Sequence, residues 1–283
     1  MIMHGVQALL KPVIISLVVS TLSSCLAENP NIVFILTDDL GYHSPGFKNP
    51  DLITPTIDTL ARNGLVLEEH YTYQFCSPTR GSLMTGRFPY KLSATRTNLS
   101  PEELDGIDLR FDMLPIKLNQ IGYTSHHVGK WHMGYCDNRF TPLSRGFQTT
   151  NGYFSAAENH FDQTVWYLQC PTEEGINAPI SDIWVSSNNS GPDLKGVYND
   201  FRFSDAATEI IRRQQSNPFF LYLALSNTHD PFQAPAEFLE LYEHISYVPQ
   251  KTFYAMVSVV DKVRDLPTWL QLWFRLERGT IRS

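Results

Sequence analysis

The sequence predicts an α/β fold in which a mainly parallel sheet lies between layers of helices. Two continuous apolar runs, at Ile32–Leu36 and Phe219–Leu225, are each followed by polar residues and read as strands buried on both faces. Between them lie segments that carry helical start and stop chemistry. Strands that alternate with helices fold as parallel sheets covered on both sides.

The elements follow in order. "NIVFILTDDLG" is a strand that ends at Thr37. "TPTIDTLARNG" is a helix with Thr54 as cap, Pro55 in the first position and Gly64 as stop. "CSPTRGSLMTG" is a second helix, capped by Ser77, opened by Pro78 and stopped by Gly86. "LPIKLNQIG" is a third, closing at Gly122, and "YTSHHVGKWH" is a short strand running into a turn. Residues 137–200 have no clear period and read as loop-rich. "FSDAATEIIRRQQSNP" is a helix capped by Ser204 that stops before Pro218. "KTFYAMVSVVDKV" is an amphipathic helix with Phe253, Met256, Val257, Val260 and Val263 on one side.

The N-terminus has different chemistry. Lys11, an apolar run from Val13 to Val19 and small residues up to Ala27 resemble a cleaved secretory signal over residues 1–27, too short to span a bilayer. An N-terminal anchor and a lipoprotein box at "LSSC" are the alternatives. Removing the leader removes one charge, Lys11, and takes the formal net charge from −7 to −8. That balance argues against a nucleic-acid partner, and no stable membrane span is expected. Of the four cysteines, Cys25 leaves with the leader. In an oxidising compartment the remaining three are an odd number, and the simplest pairing is Cys136–Cys170 with Cys76 kept apart. "NLS" at Asn98 and "NNS" at Asn188 are glycosylation sequons in a eukaryotic secretory route.

Ligands of open α/β sheets bind beyond the carboxyl ends of the strands. Three strand candidates end in reactive residues there: Asp38 and Asp39, then Lys130 and His132, then His229 and Asp230. Each has an ordinary reading alone, as a turn, a solvated loop or a satisfied loop histidine. Their shared position argues for one site. Cys76, at a helix N-terminus where backbone N–H groups favour an anionic centre, reads either as part of that site or as a buried free thiol.

"CSPTRG" fits the sulfatase pattern Cys-x-Pro-x-Arg, and "NIVFILTDDLG", "GYTSHHVGKWHMG" and "FFLYLALSNTHDPFQAP" resemble the flanking sulfatase segments in the same order. Over about residues 30–264 the chain resembles the arylsulfatase B-like branch. The resemblance implies an alkaline-phosphatase-like α/β/α sandwich and hydrolysis of aryl or sugar sulfates. It implies that Cys76 is oxidised to formylglycine by a formylglycine-generating enzyme, with Pro78 and Arg80 read during maturation and Arg80 later holding the modified side chain. One calcium ion per chain is implied, held by Asp38, Asp39 and an oxygen of residue 76, since hard cations take oxygen donors. One hydroxyl of the aldehyde hydrate attacks sulfur and alcohol leaves. The second hydroxyl then loses its proton, and collapse to the aldehyde expels sulfate. Lys130 binds sulfate oxygens, His132 acts as base in the collapse, and His229 binds sulfate or protonates the leaving alcohol. The partner is a sulfated small molecule or glycan, and the location is lysosomal or extracellular.

The pattern breaks near residue 264. The Asp-Asn-Gly strand whose Asp and Asn complete the family's metal site, and the second lysine that follows downstream, are not found in "RDLPTWLQLWFRLERGTIRS". The resemblance therefore divides the chain into a signal at 1–27, a partial catalytic domain at 28–264, incomplete at its C-terminus, and a divergent tail at 265–283. A truncated, inactive sulfatase-like binding protein is the second reading. A phosphatase or phosphodiesterase of the same fold is the third, disfavoured because those enzymes use Ser or Thr where this chain has Cys76.

Overall fold

The computed structural model describes residues 29–92, 106–171, 177–181, 183–185, 196–214 and 217–263. The leader, both sequons, the tail and the side chain of Cys170, with the expected Cys136–Cys170 pairing, lie outside what is described. The chain divides into two units, Met1–Asn31 and Ile32–Ser283. The second unit holds all of the described strands and helices.

Its elements in chain order are β1 (Ile32–Leu36), α1 (Pro55–Asn63), α2 (Cys76–Thr85), α3 (Leu114–Asn119), β2 (Thr124–Lys130), β3 (Thr149–Tyr153), β4 (Thr164–Pro171), β5 (Asn177–Ser181), β6 (Ile183–Val185), α4 (Asn199–Arg213), β7 (Phe219–Ala224), α5 (Ala236–Leu239) and α6 (Val248–Lys262). The main sheet has the order β1-β7-β2-β3-β6. Its first four strands are mutually parallel, and β6 closes it antiparallel to β3. β4 and β5 form a separate antiparallel ribbon. Among the described helices, none is long and apolar enough to cross a membrane.

β7 lies between β1 and β2, which explains its unbroken apolar run. Phe219, Leu221, Leu223 and Leu225 pack with Phe203, Ala207 and Ile211 of α4 and Val260 of α6. Phe220, Tyr222 and Ala224 face the other way, onto Met84 of α2, Met113, Trp131 and Phe147. A strand with both faces covered needs no polar alternation. Helices thus lie on both faces, as the sequence predicts.

Several boundaries differ from the sequence reading. α2 begins at Cys76 itself; Phe75 is the capping position with no side-chain bond, and Ser77 is buried inside the first turn. Gly86 does adopt the left-handed conformation expected of a stop (φ 64°). The α1 boundaries are as read, with Thr54 at the N-cap position, Pro55 first and Gly64 at the end; only the cap bond differs, because the Thr54 hydroxyl donates to Asp58. α4 starts five residues before Ser204, because Asn199 and Asp200 are buried and Asp200 is tied to the turn after β7. The span read as loop-rich holds β3 to β6. β3, "TTNGY", carries no apolar period, and its place is set by close approach to its neighbour. A Cβ on Gly152 would fall inside the Gly129 carbonyl, and a Cβ on Gly129, whose φ is +99°, inside that of Ala224.

Gly129 of β2 therefore tolerates no side chain, on steric and conformational grounds together. Gly129→Ala is expected to destabilise the protein by about 3 kcal/mol or more, measured by urea unfolding. An unchanged midpoint would refute the packing described for β2 and β7.

Candidate active site

Because β1, β7 and β2 are adjacent and parallel, their carboxyl ends share one edge of the sheet. Asp38 follows β1, Lys130 ends β2, and His229 follows β7. The N-terminus of α2 brings Cys76 to the same edge.

Asp38 is the centre. Its carboxylate is buried, with Oδ1 3.1 Å from an Arg80 guanidinium nitrogen and Oδ2 2.5 Å from Lys130 Nζ. Arg80 also donates to the Lys130 carbonyl at 3.0 Å and to the Tyr222 hydroxyl at 3.3 Å. Cys76 Sγ lies 3.5 Å from Asp38 Oδ1 and 3.4 Å from Lys130 Nζ. The donor atoms of Asp38, Cys76 and His229 all fall within 4.8 Å of one another. Burial would raise the Asp38 pKa, but Lys130, Arg80 and His229 overcome it and hold the group well below the usual carboxylate range. Arg80 is buried too, which opposes its charge, yet Tyr222 and Asp38 keep it firmly protonated.

Asp39 points elsewhere. Its backbone is left-handed (φ 58°), and its side chain is 61% exposed, with one carboxylate oxygen 3.8 Å from His229 Nε2. His132 is buried just beyond β2, also left-handed (φ 50°), with its N–H donating to the Phe154 carbonyl. The backbone of the turn after β7 clamps the acidic pair. The Asp38 N–H donates to the Asn227 carbonyl at 2.8 Å, the Thr228 N–H donates to the Asp38 carbonyl, and the Thr228 hydroxyl reaches the Asp39 carbonyl at 3.2 Å. Asn227 and Thr228 were within reach of sequence reasoning, since they precede His229 in the same strand-end segment. Tyr222 was not, because it reads as one more apolar position of β7.

His229 sits between opposing influences. Burial lowers its pKa and Lys130 adds to that, but its hydrogen bond with Cys76, the charge of Asp38 and the Asp230 carbonyl outweigh both and raise it to about 9. A histidine raised in the folded state stabilises fully below its unfolded value, about 6.5, and that contribution is lost as pH rises through about 9. In chelator, the thermal midpoint is expected to fall between pH 7 and 10 in the native chain, and to fall less in His229→Gln. Equal falls would refute the assignment.

The arrangement suits an anionic substrate. Lys130 and Arg80 supply fixed positive charge, His229 supplies a proton, and the side chain of residue 76 emerges among them at the N-terminus of α2. Comparisons with known proteins agree. The Sulfatase family model matches residues 30–263. Mouse arylsulfatase J is 30% identical over 236 residues, covering 83% of this chain and 38% of that protein. Rat N-acetylgalactosamine-6-sulfatase is 31% identical over 257 residues, covering 82% and 45%. The chain thus spans less than half the length of these relatives. Among solved structures, Ps i-CgsB in complex with k-i-k-neocarrahexaose superposes with a TM-score of 0.78 at 28% identity, covering 89% of this chain and 56% of that one. The PsFucS1 sulfatase from Pseudoalteromonas sp. shares the fold, with a TM-score of 0.71 at 21% identity, covering 91% and 55%. The architecture is the alkaline-phosphatase-like sandwich expected from the sequence.

Proposed function

Because this chain belongs to the sulfatase family, we propose that it carries the nucleophile, sulfate-binding residues and proton donor of an enzyme hydrolysing sulfate esters of glycans or aryl alcohols. The observation that supports this best is the convergence of Cys76, Lys130 and His229 on the buried Asp38. Relatives named N-acetylgalactosamine-6-sulfatase, and a structural neighbour in complex with k-i-k-neocarrahexaose, favour a sugar sulfate.

Sγ of Cys76 marks where the oxygens of a formylglycine hydrate would stand. The donor chemistry also fits a hard divalent cation. Asp38 lies beside residue 76, with Oδ2 bonded to Lys130 and Oδ1 to Arg80 and Cys76 Sγ, while Asp39 is exposed with one oxygen 3.8 Å from His229. Calcium takes about six to eight oxygen ligands, so Asp38 and residue 76 would form part of its shell, and Asp39 would join it only by turning its exposed side chain inward. Bound there, formylglycine would supply the attacking hydroxyl, and calcium would neutralise charge on the sulfate.

The chain's own residues do the rest. Arg80 is held by Asp38, Tyr222 and the Lys130 carbonyl, so it fixes the floor on which residue 76 stands. Lys130 presents its ammonium 3.4 Å from the residue-76 side chain, where sulfuryl oxygens would accumulate charge. His229, within 4.8 Å of residue 76 and Asp38, would hold a proton for the departing alcohol oxygen. His132 is the base assigned to release of sulfate. On this reading the protein belongs to the secretory route, lysosomal or extracellular, where Cys76 would be converted.

The test compares an aryl sulfate with the matching aryl phosphate, using chain purified from a secretory host in calcium. Preferential turnover of the sulfate is expected, together with an aldehyde in the peptide containing residue 76. Preference for phosphate would overturn the reading. So would tight binding of a sulfated sugar without turnover, which would identify a binding protein.

A further inference from the structure

A buried polar chain behind the site is unused by the proposed chemistry. Asp200 of α4 is fully buried. Its Oδ1 accepts the Ser226 N–H at 2.8 Å and the Ser226 hydroxyl at 2.7 Å, and its Oδ2 accepts the Asn227 N–H at 3.1 Å. Ser226 Oγ also lies 3.3 Å from Nδ1 of His160, whose Nε2 lies 3.2 Å from the His229 carbonyl. The His160 ring stacks on Tyr198, with centroids 5.2 Å apart and planes 11° apart. Tyr198 in turn donates to the Asn227 side chain at 2.7 Å. One carboxylate thus reaches the acidic pair through Asn227, whose carbonyl receives the Asp38 N–H, and reaches His229 through Ser226 and His160.

We propose that Asp200, Ser226 and His160 are positioning residues that lock the turn carrying His229 against Asp38, and so govern turnover without touching substrate. The inference rests on the sulfatase reading for its effect on rate.

The contacts fix how the bonds run. A carbonyl only accepts, so His160 Nε2 carries hydrogen. Ser226 has one hydroxyl proton and two neighbours, Asp200 Oδ1 and His160 Nδ1. That proton goes to Asp200 Oδ1, and Ser226 Oγ keeps its 3.3 Å approach to His160 Nδ1. Burial raises Asp200 to about 6, with a smaller push from Asp38, against the bonds from Ser226 and Asn227. Burial lowers His160 to about 4, so its ring is neutral near pH 7. The other titratable groups near the chain are Tyr153 and Tyr198 beside Asp200, and His229, Asp38 and Asp230 beside His160. Ser226 thus donates its hydroxyl to Asp200 Oδ1, and the His160 Nε2–H donates to the His229 carbonyl.

The experiment uses the full chain with Ser226→Ala, His160→Ala and His160→Gln. Ser226→Ala keeps both backbone N–H groups on Asp200 but cuts the link to His160. His160→Gln restores a donor for the His229 carbonyl. For aryl sulfate turnover, kcat is expected to fall about tenfold in the two alanine variants, with KM changed less than about twofold and most of the loss recovered in His160→Gln. In parallel, amide exchange at Asp38 and Thr228 is expected to quicken about tenfold in the alanine variants. Equal losses in all three variants, or losses confined to KM, would overturn the proposal. If the unsubstituted chain turns over no aryl sulfate, the sulfatase reading fails separately; the exchange rates then decide, and unchanged protection overturns the positioning role.

Discussion

Cys76→Ser is expected to lower aryl sulfate turnover by about 10⁴-fold or more, the scale seen when a nucleophile is lost. The substitution changes little else. Cys76 is the first residue of α2, half-buried, with the Lys130–Asp38 ion pair against its Sγ. Serine fits that space and presents a hydroxyl to the same partners, so folding should survive. What serine lacks is a second hydroxyl on the same carbon. A sulfated serine would have no internal route to release sulfate, and turnover would stop after at most one cycle. The measurement is a burst experiment with mass analysis of the residue-76 peptide. Sustained turnover by Cys76→Ser at a tenth of the native rate or better would show that residue 76 is not the nucleophile.

Asp38→Ala carries the other large effect, on stability. It removes the anion shared by two buried cations, Arg80 and Lys130, whose side chains are 2% and 0% exposed. Breaking a buried pair by deleting one partner leaves uncompensated charge and costs about 3–5 kcal/mol. The loss is expected as a lower urea midpoint at pH 7. Asp38 is depressed in the folded state, so the stability it gives is present above its unfolded value, about 3.9, and is lost as pH falls. The native and Asp38→Ala chains should therefore converge in stability as the pH is lowered below about 4. A constant difference from pH 7 to pH 3 would mean that the ion pairs do not account for the effect. Lys130→Met should cost less, because Asp38 then keeps Arg80.

How much of this was legible in the sequence depends on the element. β7 was clear because both faces are buried and every residue is apolar. The strand-end residues Asp38, Lys130 and His229 were clear because parallel strands put their carboxyl ends on one edge, so position alone grouped them. β3 was hidden because Gly152, not an apolar pattern, lets its backbone approach β2. The start of α4 was hidden because its first turn is anchored by polar burial of Asp200, and no local rule announces a partner 26 residues away. Asp39 and Asp38 look equivalent in sequence, yet a left-handed backbone at Asp39 sends one acid into solvent and leaves the other in the core.

The central place of β7 has a consequence for biosynthesis. β1 and β2 flank it and cannot take their final positions until it arrives, although they are made far earlier. At ribosomal speeds of about 5–20 residues per second, the interval from Leu36 to Ala224 lasts roughly 10–40 seconds. Cys76 is made part-way through it and then belongs for roughly 7–30 seconds to a nascent polypeptide whose cationic cradle has not closed. Any maturation enzyme that must grasp an extended segment around Cys76 has its opening then, and the arrival of the last central strand ends it.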